Sequence, residues 1–248
     1  MEGLGIPGLV FAALVLTMGY AVRGTAGFGG QAVAVPLLAL VIPLPLVVAS
    51  VAVLTALSSF GHWRRDRDKV VWREILHLAP FTIAGVIAGL YVLNQLDVRT
   101  LTKAFGAFVI LYACFTLATA ARPVSVPARI LKPLGAVLSV LAGMAGALFG
   151  AAAGPLYAIY LNAVALQKDS FRVTITTILT VLALSRVVGY TVLGLYNEVT
   201  LILICAGLPL MMLGSQIGYR LAGRLDQHTF NRVVAVLLFV SGAALLFK

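Results

Sequence analysis

Ten apolar runs, at roughly residues 5–22, 27–42, 45–62, 75–93, 101–121, 133–149, 151–163, 173–195, 199–219 and 229–247, take up almost the whole chain, and only short polar joints separate them. A run of about 20 apolar residues is what one helical crossing of a hydrocarbon core requires. Of the 248 residues, 61% are hydrophobic and 10% are charged, against about a quarter charged in soluble domains. A soluble fold of this size has too little interior to hide that much apolar surface. The pattern therefore predicts an all-α polytopic membrane protein whose main partner is the lipid bilayer. No polar stretch is long enough for a sizeable soluble domain.

The net charge of +10 reads accordingly. In a membrane protein such an excess marks cytoplasmic loops rather than a nucleic-acid partner, and it also attracts anions. The first apolar run lacks a basic start and a cleavage site, which predicts a retained span with its N-terminus outside. Cys114 and Cys205 lie within apolar runs and read as small packing residues. There is no GxxxxGK[ST] phosphate loop, no HExxH and no His/Cys cluster. The expectation is a non-enzyme without metal or cofactor.

The chain repeats itself. Gly24-Thr25-Ala26-Gly27 and Pro36-Leu37 match Gly143-Met144-Ala145-Gly146 and Pro155-Leu156 at an offset of 119. Pro80, Gly85, Gly89, Leu96, Asp97 and Thr100 match Pro209, Gly214, Gly218, Leu225, Asp226 and Thr229 at an offset of 129. This divides the chain into a first membrane repeat (1–121), a cytoplasmic linker (122–132) within "RPVSVPARILKP", and a second membrane repeat (133–248). Each repeat holds about five segments, one of them short or broken. Loop charge favours inversion. The loop "RRDRDKVVWRE" (64–74) carries five basic residues, and its counterpart "LYNEVT" (195–200) carries none. The uncharged "IPLPL" (42–46) corresponds to "NAVALQKDSFR" (162–172), with Lys168 and Arg172. Under the positive-inside rule, both termini lie outside, and loops 64–74, 122–132, 164–172 and 220–228 are cytoplasmic. Parallel repeats with re-entrant hairpins are the alternative, and would leave the basic loops of the second half outside.

Each half carries a small-residue stretch ending in proline: "GTAGFGGQAVAVP" (24–36) and "GMAGALFGAAAGP" (143–155). Glycine admits unusual backbone angles and proline removes a donor, so the pair can interrupt a helix in mid-membrane. Interrupted backbone survives there only against protein or a water-filled cavity. Paired interruptions in the halves of a duplicated chain point to a transporter's central site, where half-helix N-termini can hold an anion. Close packing of small residues is the competing reading.

With these motifs in place, the chain resembles the TauE/SafE family of sulfite and organosulfonate exporters. The resemblance rests on "GTAGFGGQAVAVPLL", its echo "GALFGAAAGPLY", the length and the duplicated layout, and it covers essentially the whole chain. It implies export of small sulfur-containing anions such as sulfite or sulfoacetate across a bacterial cytoplasmic membrane. A carrier with alternating access, an anion channel and an uptake carrier for another small anion are the competing forms of that reading.

One charge stands deep in a run: Arg186, about thirteen residues into the segment starting near 173. An intramembrane arginine costs ~2.5–3.5 kcal/mol on insertion scales and faces a cavity or a partner. A guanidinium grips an oxyanion with two hydrogen bonds; binding to backbone carbonyls at a broken helix is the alternative. The candidate substrate-binding residues are therefore Arg186, Thr25, Gly27, Gly29, Gly30 and Gln31 of the first motif, and Gly146, Gly150, Gly154 and Tyr157 of the second. Arg23, close to the end of its run, reads as a membrane-end anchor.

Overall fold

The computed structural model describes residues 5–26, 29–119, 127–151, 153–221 and 238–247. Helices α1 (Ile6–Ala26), α2 (Gly30–Ala39), α3 (Leu44–Asp66), α4 (Trp72–Gln95) and α5 (Val98–Thr119) make up the first half. Helices α6 (Ala128–Phe149), α7 (Ala153–Ala163), α8 (Lys168–Val192) and α9 (Glu198–Leu221) follow, and residues 238–246 are helical. Among the described residues there is no strand. The order of lengths is the same on both sides: α1 and α6 have 21 and 22 residues, α2 and α7 have 10 and 11, α4 and α9 have 24 each.

Five of the described helices are long and apolar enough to cross a membrane: Ile6–Thr25, Trp72–Gln95, Arg129–Phe149, Asp169–Val192 and Glu198–Leu221. Their outward faces carry Leu14, Ile87, Tyr91, Val192, Leu201 and Met212, all exposed. An apolar belt of that size suits lipid and not water. The chain is an all-α polytopic membrane protein.

The packing pairs elements across the two halves. α4 lies along α6 and α1 along α9, while α3 packs against α8. α1 holds α2 as α6 holds α7, and α3 meets α9 as α8 meets α4. Glycines let the long pairs approach. A Cβ on Gly85 would come 2.1 Å from Val140 O, and one on Gly214 would come 2.3 Å from Thr17 O. One helical turn on, Gly89 meets Met144 and Gly218 meets Ala21, so the helices of each pair run parallel. The matched glycines are thus contact points of matched helix pairs.

Residues of both motifs share one core cluster. Val35 and Leu38 from α2 and Ala145, Leu148 and Phe149 from α6 belong to it with Val47, Val48 and Val51 of α3. The interruptions are made by glycine and not by proline. Gly29 (φ +88°) precedes α2 and Gly150 (φ +68°) ends α6, both in the left-handed region. Pro36 instead sits inside α2, and Pro155 falls in the first turn of α7, where a missing N–H costs no helical bond. The expected loops at 122–126 and 222–228, with Asp226 and Thr229, lie outside the described residues, as does Gly27. Cys114 and Cys205 are exposed on the helix faces and do not pack inward.

Candidate functional site

α8 carries Arg186 to where it meets Val48 of α3, and the residue is 1% exposed. Its Nη2 donates to Val48 O at 3.2 Å and its Nε to the Tyr190 hydroxyl at 3.4 Å. The guanidinium carbon stands 5.6 Å from the centre of the Tyr190 ring, a cation–π distance. Tyr190 is fixed in turn, because its hydroxyl donates to Ala147 O at 2.6 Å. One turn of helix separates Arg186 from Tyr190, so the arginine lies over its own tyrosine. Gly150 stands against the same group: a Cβ there would come 3.2 Å from Arg186 Nη2 and 2.9 Å from Val48 Cγ1. Four segments therefore converge on one cation: α3, α8, the last turn of α6 and the left-handed glycine that ends it. Among the described residues no carboxylate pairs with Arg186.

The first motif is assembled elsewhere on α3. Gln31 Nε2 donates to Thr55 Oγ1, and the Tyr20 hydroxyl lies 3.4 Å from that oxygen. Gly30 fits against Gly19 O, which a Cβ would approach to 2.0 Å. Nothing lies within 4 Å of a Cβ built on Gly29, so that position is open. Thr25 spends its hydroxyl on Val22 O, at 2.8 Å, within its own helix. Val48, Val51, Thr55 and Ser59 follow one another at three- and four-residue steps along α3. One face of that helix thus reaches from the Arg186 group to the Gln31 group. From residue 48 to residue 55 the rise is about 10 Å.

The remaining described candidates lie against neighbouring helices. Gly146 faces Leu182 of α8. Gly154 and Tyr157 are buried in α7, and the Tyr157 hydroxyl sits 2.8 Å from Thr82 Oγ1 of α4. That bond ties the short helix to the long helix beside it.

Arg23, read from the sequence as a membrane-end anchor, is packed inside the protein: it is 3% exposed, with Nη2 donating to Ser59 Oγ at 2.5 Å. Arg186 is therefore not the one buried arginine among the described residues. The sequence signal for that burial was weak: a serine pair, Ser58-Ser59, near the end of a mostly apolar run.

Two long helix pairs, two short helices set off by left-handed glycines and the buried Arg23 and Arg186 make up a polytopic membrane protein, and paired short helices of this kind are what transporters use. Residues 11–245, nearly the whole chain, match the family model described as "Sulfite exporter TauE/SafE". The chain belongs to that family, which is one of membrane transporters. Neither a curated protein nor a solved structure matches it.

Proposed function

We propose that the protein exports small sulfur-containing anions, sulfite or organosulfonates such as sulfoacetate, across the bacterial cytoplasmic membrane. It does so as a secondary carrier, by alternating access between two inverted repeats, 1–121 and 133–248. The observation that carries this reading is Arg186. Its bonds go to a backbone carbonyl and a tyrosine hydroxyl, neither of which cancels its charge. A fixed positive charge at the crossing of the two halves lowers the cost of bringing an anion into a low-dielectric interior. The glycine break at Gly150, beside it, adds backbone groups that no helix satisfies. With the cell interior negative, each negative charge that leaves gains about 2.3 kcal/mol per 100 mV, so export of an anion runs downhill in the field.

Inversion is supported by contacts between loops. Lys69 Nζ meets Asp169 Oδ2 at 2.7 Å, and Val71 N donates to Thr174 Oγ1. His77 Nε2 lies 3.1 Å from Lys132 O. Loops 64–74 and 164–172 and the end of the 122–132 linker therefore gather at one end of the bundle, as the charge rule requires of cytoplasmic loops. Cysteine labelling of intact cells tests this. External reagent reaching Cys at Lys69 or Arg129 would sink the topology.

For the site, the experiment is flux of radiolabelled sulfite and sulfoacetate in proteoliposomes. Arg186→Ala is expected to cut flux at least tenfold in protein that still folds. Arg186→Lys recovers part of it, because an ammonium lacks the planar fork. Wild-type flux in the alanine variant would reduce Arg186 to a structural clamp.

A further inference from the structure

Two kinds of seam join the helices. Where α4 meets α6, Cβ atoms built on Gly85, Gly89 and Gly143 would stand 2.1 Å from Val140 O, 2.8 Å from Met144 O and 2.3 Å from Thr82 O. Where α1 meets α9, those built on Gly214, Gly218 and Gly24 would stand 2.3 Å from Thr17 O, 2.0 Å from Ala21 O and 2.7 Å from Ser215 O. Along both seams backbone lies on backbone, with no side chain between that could turn to let the helices slide.

Polar bonds strengthen the grouping. The Tyr160 hydroxyl of α7 donates to Glu74 Oε2 of α4 at 2.6 Å, and His77 Nε2 of α4 lies 3.1 Å from Lys132 O of α6. Both join residues of different repeats. α4 packs also against α8, so that it belongs with α6, α7 and α8. On the other side, α9 packs against α1 and α3, while Arg23 of α1 and Gln31 of α2 bond to Ser59 and Thr55 of α3. Two matched bodies result: α1, α2 and α3 with α9, and α6, α7 and α8 with α4. Each repeat lends the other the same helix, for α4 and α9 are the pair matched at an offset of 129.

Between the bodies, α3 faces α8, and this seam is built differently. Ser50 and Ser59 of α3 and Thr176 and Thr177 of α8 are buried, and each donates at 2.8 Å to a carbonyl one turn back in its own helix. Such hydroxyls keep that partner whether the helices are together or apart, and they can accept from water as well. Across the seam, Arg186 Nη2 donates to Val48 O at 3.2 Å and Arg172 Nη2 to Gly24 O at 3.5 Å. The chain passes from body to body at 67–71, the short 3-10 turn and the two valines before α4, and at 193–197 before α9. In the second joint Gly194 stands at φ +68° with nothing within 4 Å of a built Cβ.

We propose that the moving units are these two exchanged bodies and not the two sequence repeats. They rock about the joints 67–71 and 193–197 while the glycine seams stay closed. The α3–α8 seam opens, the bond to Val48 O breaks, and the guanidinium of Arg186 is freed for the anion. The inference rests on the transport reading above and says which parts of the chain move.

The test is distance measurement by electron paramagnetic resonance on the full-length protein in proteoliposomes. Cys114→Ser and Cys205→Ser clear the background, and thioether-linked spin labels go in pairs onto Leu14→Cys of α1, Ile87→Cys of α4, Val137→Cys of α6 and Met212→Cys of α9, all exposed positions. Sulfite and sulfoacetate are the probes, and their flux is measured on the same samples. Leu14–Met212 and Ile87–Val137, within a body and across repeats, are expected to keep their distances when the anion is added. Leu14–Ile87 and Val137–Met212, within a repeat and across bodies, are expected to shift. The opposite pattern would overturn the inference and make the repeats the moving units. Four unchanged distances in protein that carries the anion would overturn it too, and in both cases the transport reading stands. Absence of sulfite and sulfoacetate flux in the wild-type protein would overturn both.

Discussion

At the first break, α2 starts from Gly29 with Tyr20, Arg23 and Gln31 around it. At the second, α6 ends on Gly150, and Phe149 beside it packs against Phe105 and Phe108 with ring centres 5.2 and 5.1 Å away. The backbone plan is shared: a long helix, a left-handed glycine, a short helix. At the offset of 119, Tyr20 corresponds to Ser139, Arg23 to Ala142 and Gln31 to Gly150. The second half builds its break without the polar trio and puts a cation, Arg186, on the neighbouring helix. A break of this kind therefore needs glycine and does not need Arg23 or Gln31. What the polar residues cost to bury is offset by their bonds to Thr55 and Ser59 of α3 and not by the break itself.

The largest effects should fall on what the halves share. Gly85 and Gly214 sit where α4 meets α6 and α1 meets α9, with partner carbonyls 2.1 and 2.3 Å from a built Cβ. Backbone cannot give way as a side chain can. Gly85→Ala and Gly214→Ala should each destabilise by about 1–3 kcal/mol or more, the range for overpacking. Thermal unfolding in detergent reads this. Equal losses would support equivalent roles for the two pairs. A large loss at one and none at the other would break the equivalence.

An intermediate effect separates the two breaks. Alanine in the left-handed region costs about 1–2 kcal/mol. At Gly29 that strain is the whole of the cost, because nothing lies within 4 Å of the new methyl. At Gly150 the methyl also meets Val48 Cγ1 at 2.9 Å and Arg186 Nη2 at 3.2 Å. Gly150→Ala should therefore lower Tm more than Gly29→Ala and also disturb Arg186, with a fall in anion flux. Equal Tm losses with unchanged flux would show that Arg186 tolerates displacement.

How much of this was legible beforehand follows from the same contrast. The apolar runs gave the helices, because a span must satisfy its own backbone. The register of Pro80, Gly85 and Gly89 against Pro209, Gly214 and Gly218 pointed to equivalent helices, and the glycines are where those helices touch. Arg186 stood out because a lone charge in mid-run has no surface to reach. Arg23 did not, since counting from the end of a run places it near the interface. Its burial depends on α2 folding back against α1 and on Ser59, 36 residues away. Long-range closure of that kind leaves no periodic trace. The motifs' glycines and prolines together predict the breaks, but Pro36 lies inside α2 and Pro155 in the first turn of α7, and Pro80 and Pro209 also lie inside helices. Membrane helices tolerate this because neighbouring groups satisfy the freed carbonyl.

The smallest expected effect compares two helix starts. Before α5, the Thr100 hydroxyl and backbone N–H donate to Asp97, the N–H at 3.1 Å. Before α9, the Thr200 N–H and hydroxyl donate to Asn197 Oδ1 at 3.0 and 2.9 Å. The caps share a geometry and differ in charge. The bonds from Thr100 hold the Asp97 carboxyl below the usual carboxylate range. A pKa depressed on folding contributes stability above the unfolded value, about 3.9, and that contribution is lost as pH falls through the folded pKa. Asn197 has no such dependence. Asp97 is fully exposed, so the effect on Tm is small. Asp97→Asn should copy the cap before α9. The Tm difference between wild type and variant should be a small positive value from pH 7 to about 5 and shrink below about pH 4. A difference that stays flat down to pH 3 would show that the charge on Asp97 adds nothing to its hydrogen bonds, and the two caps would then be equivalent in energy as well as in shape.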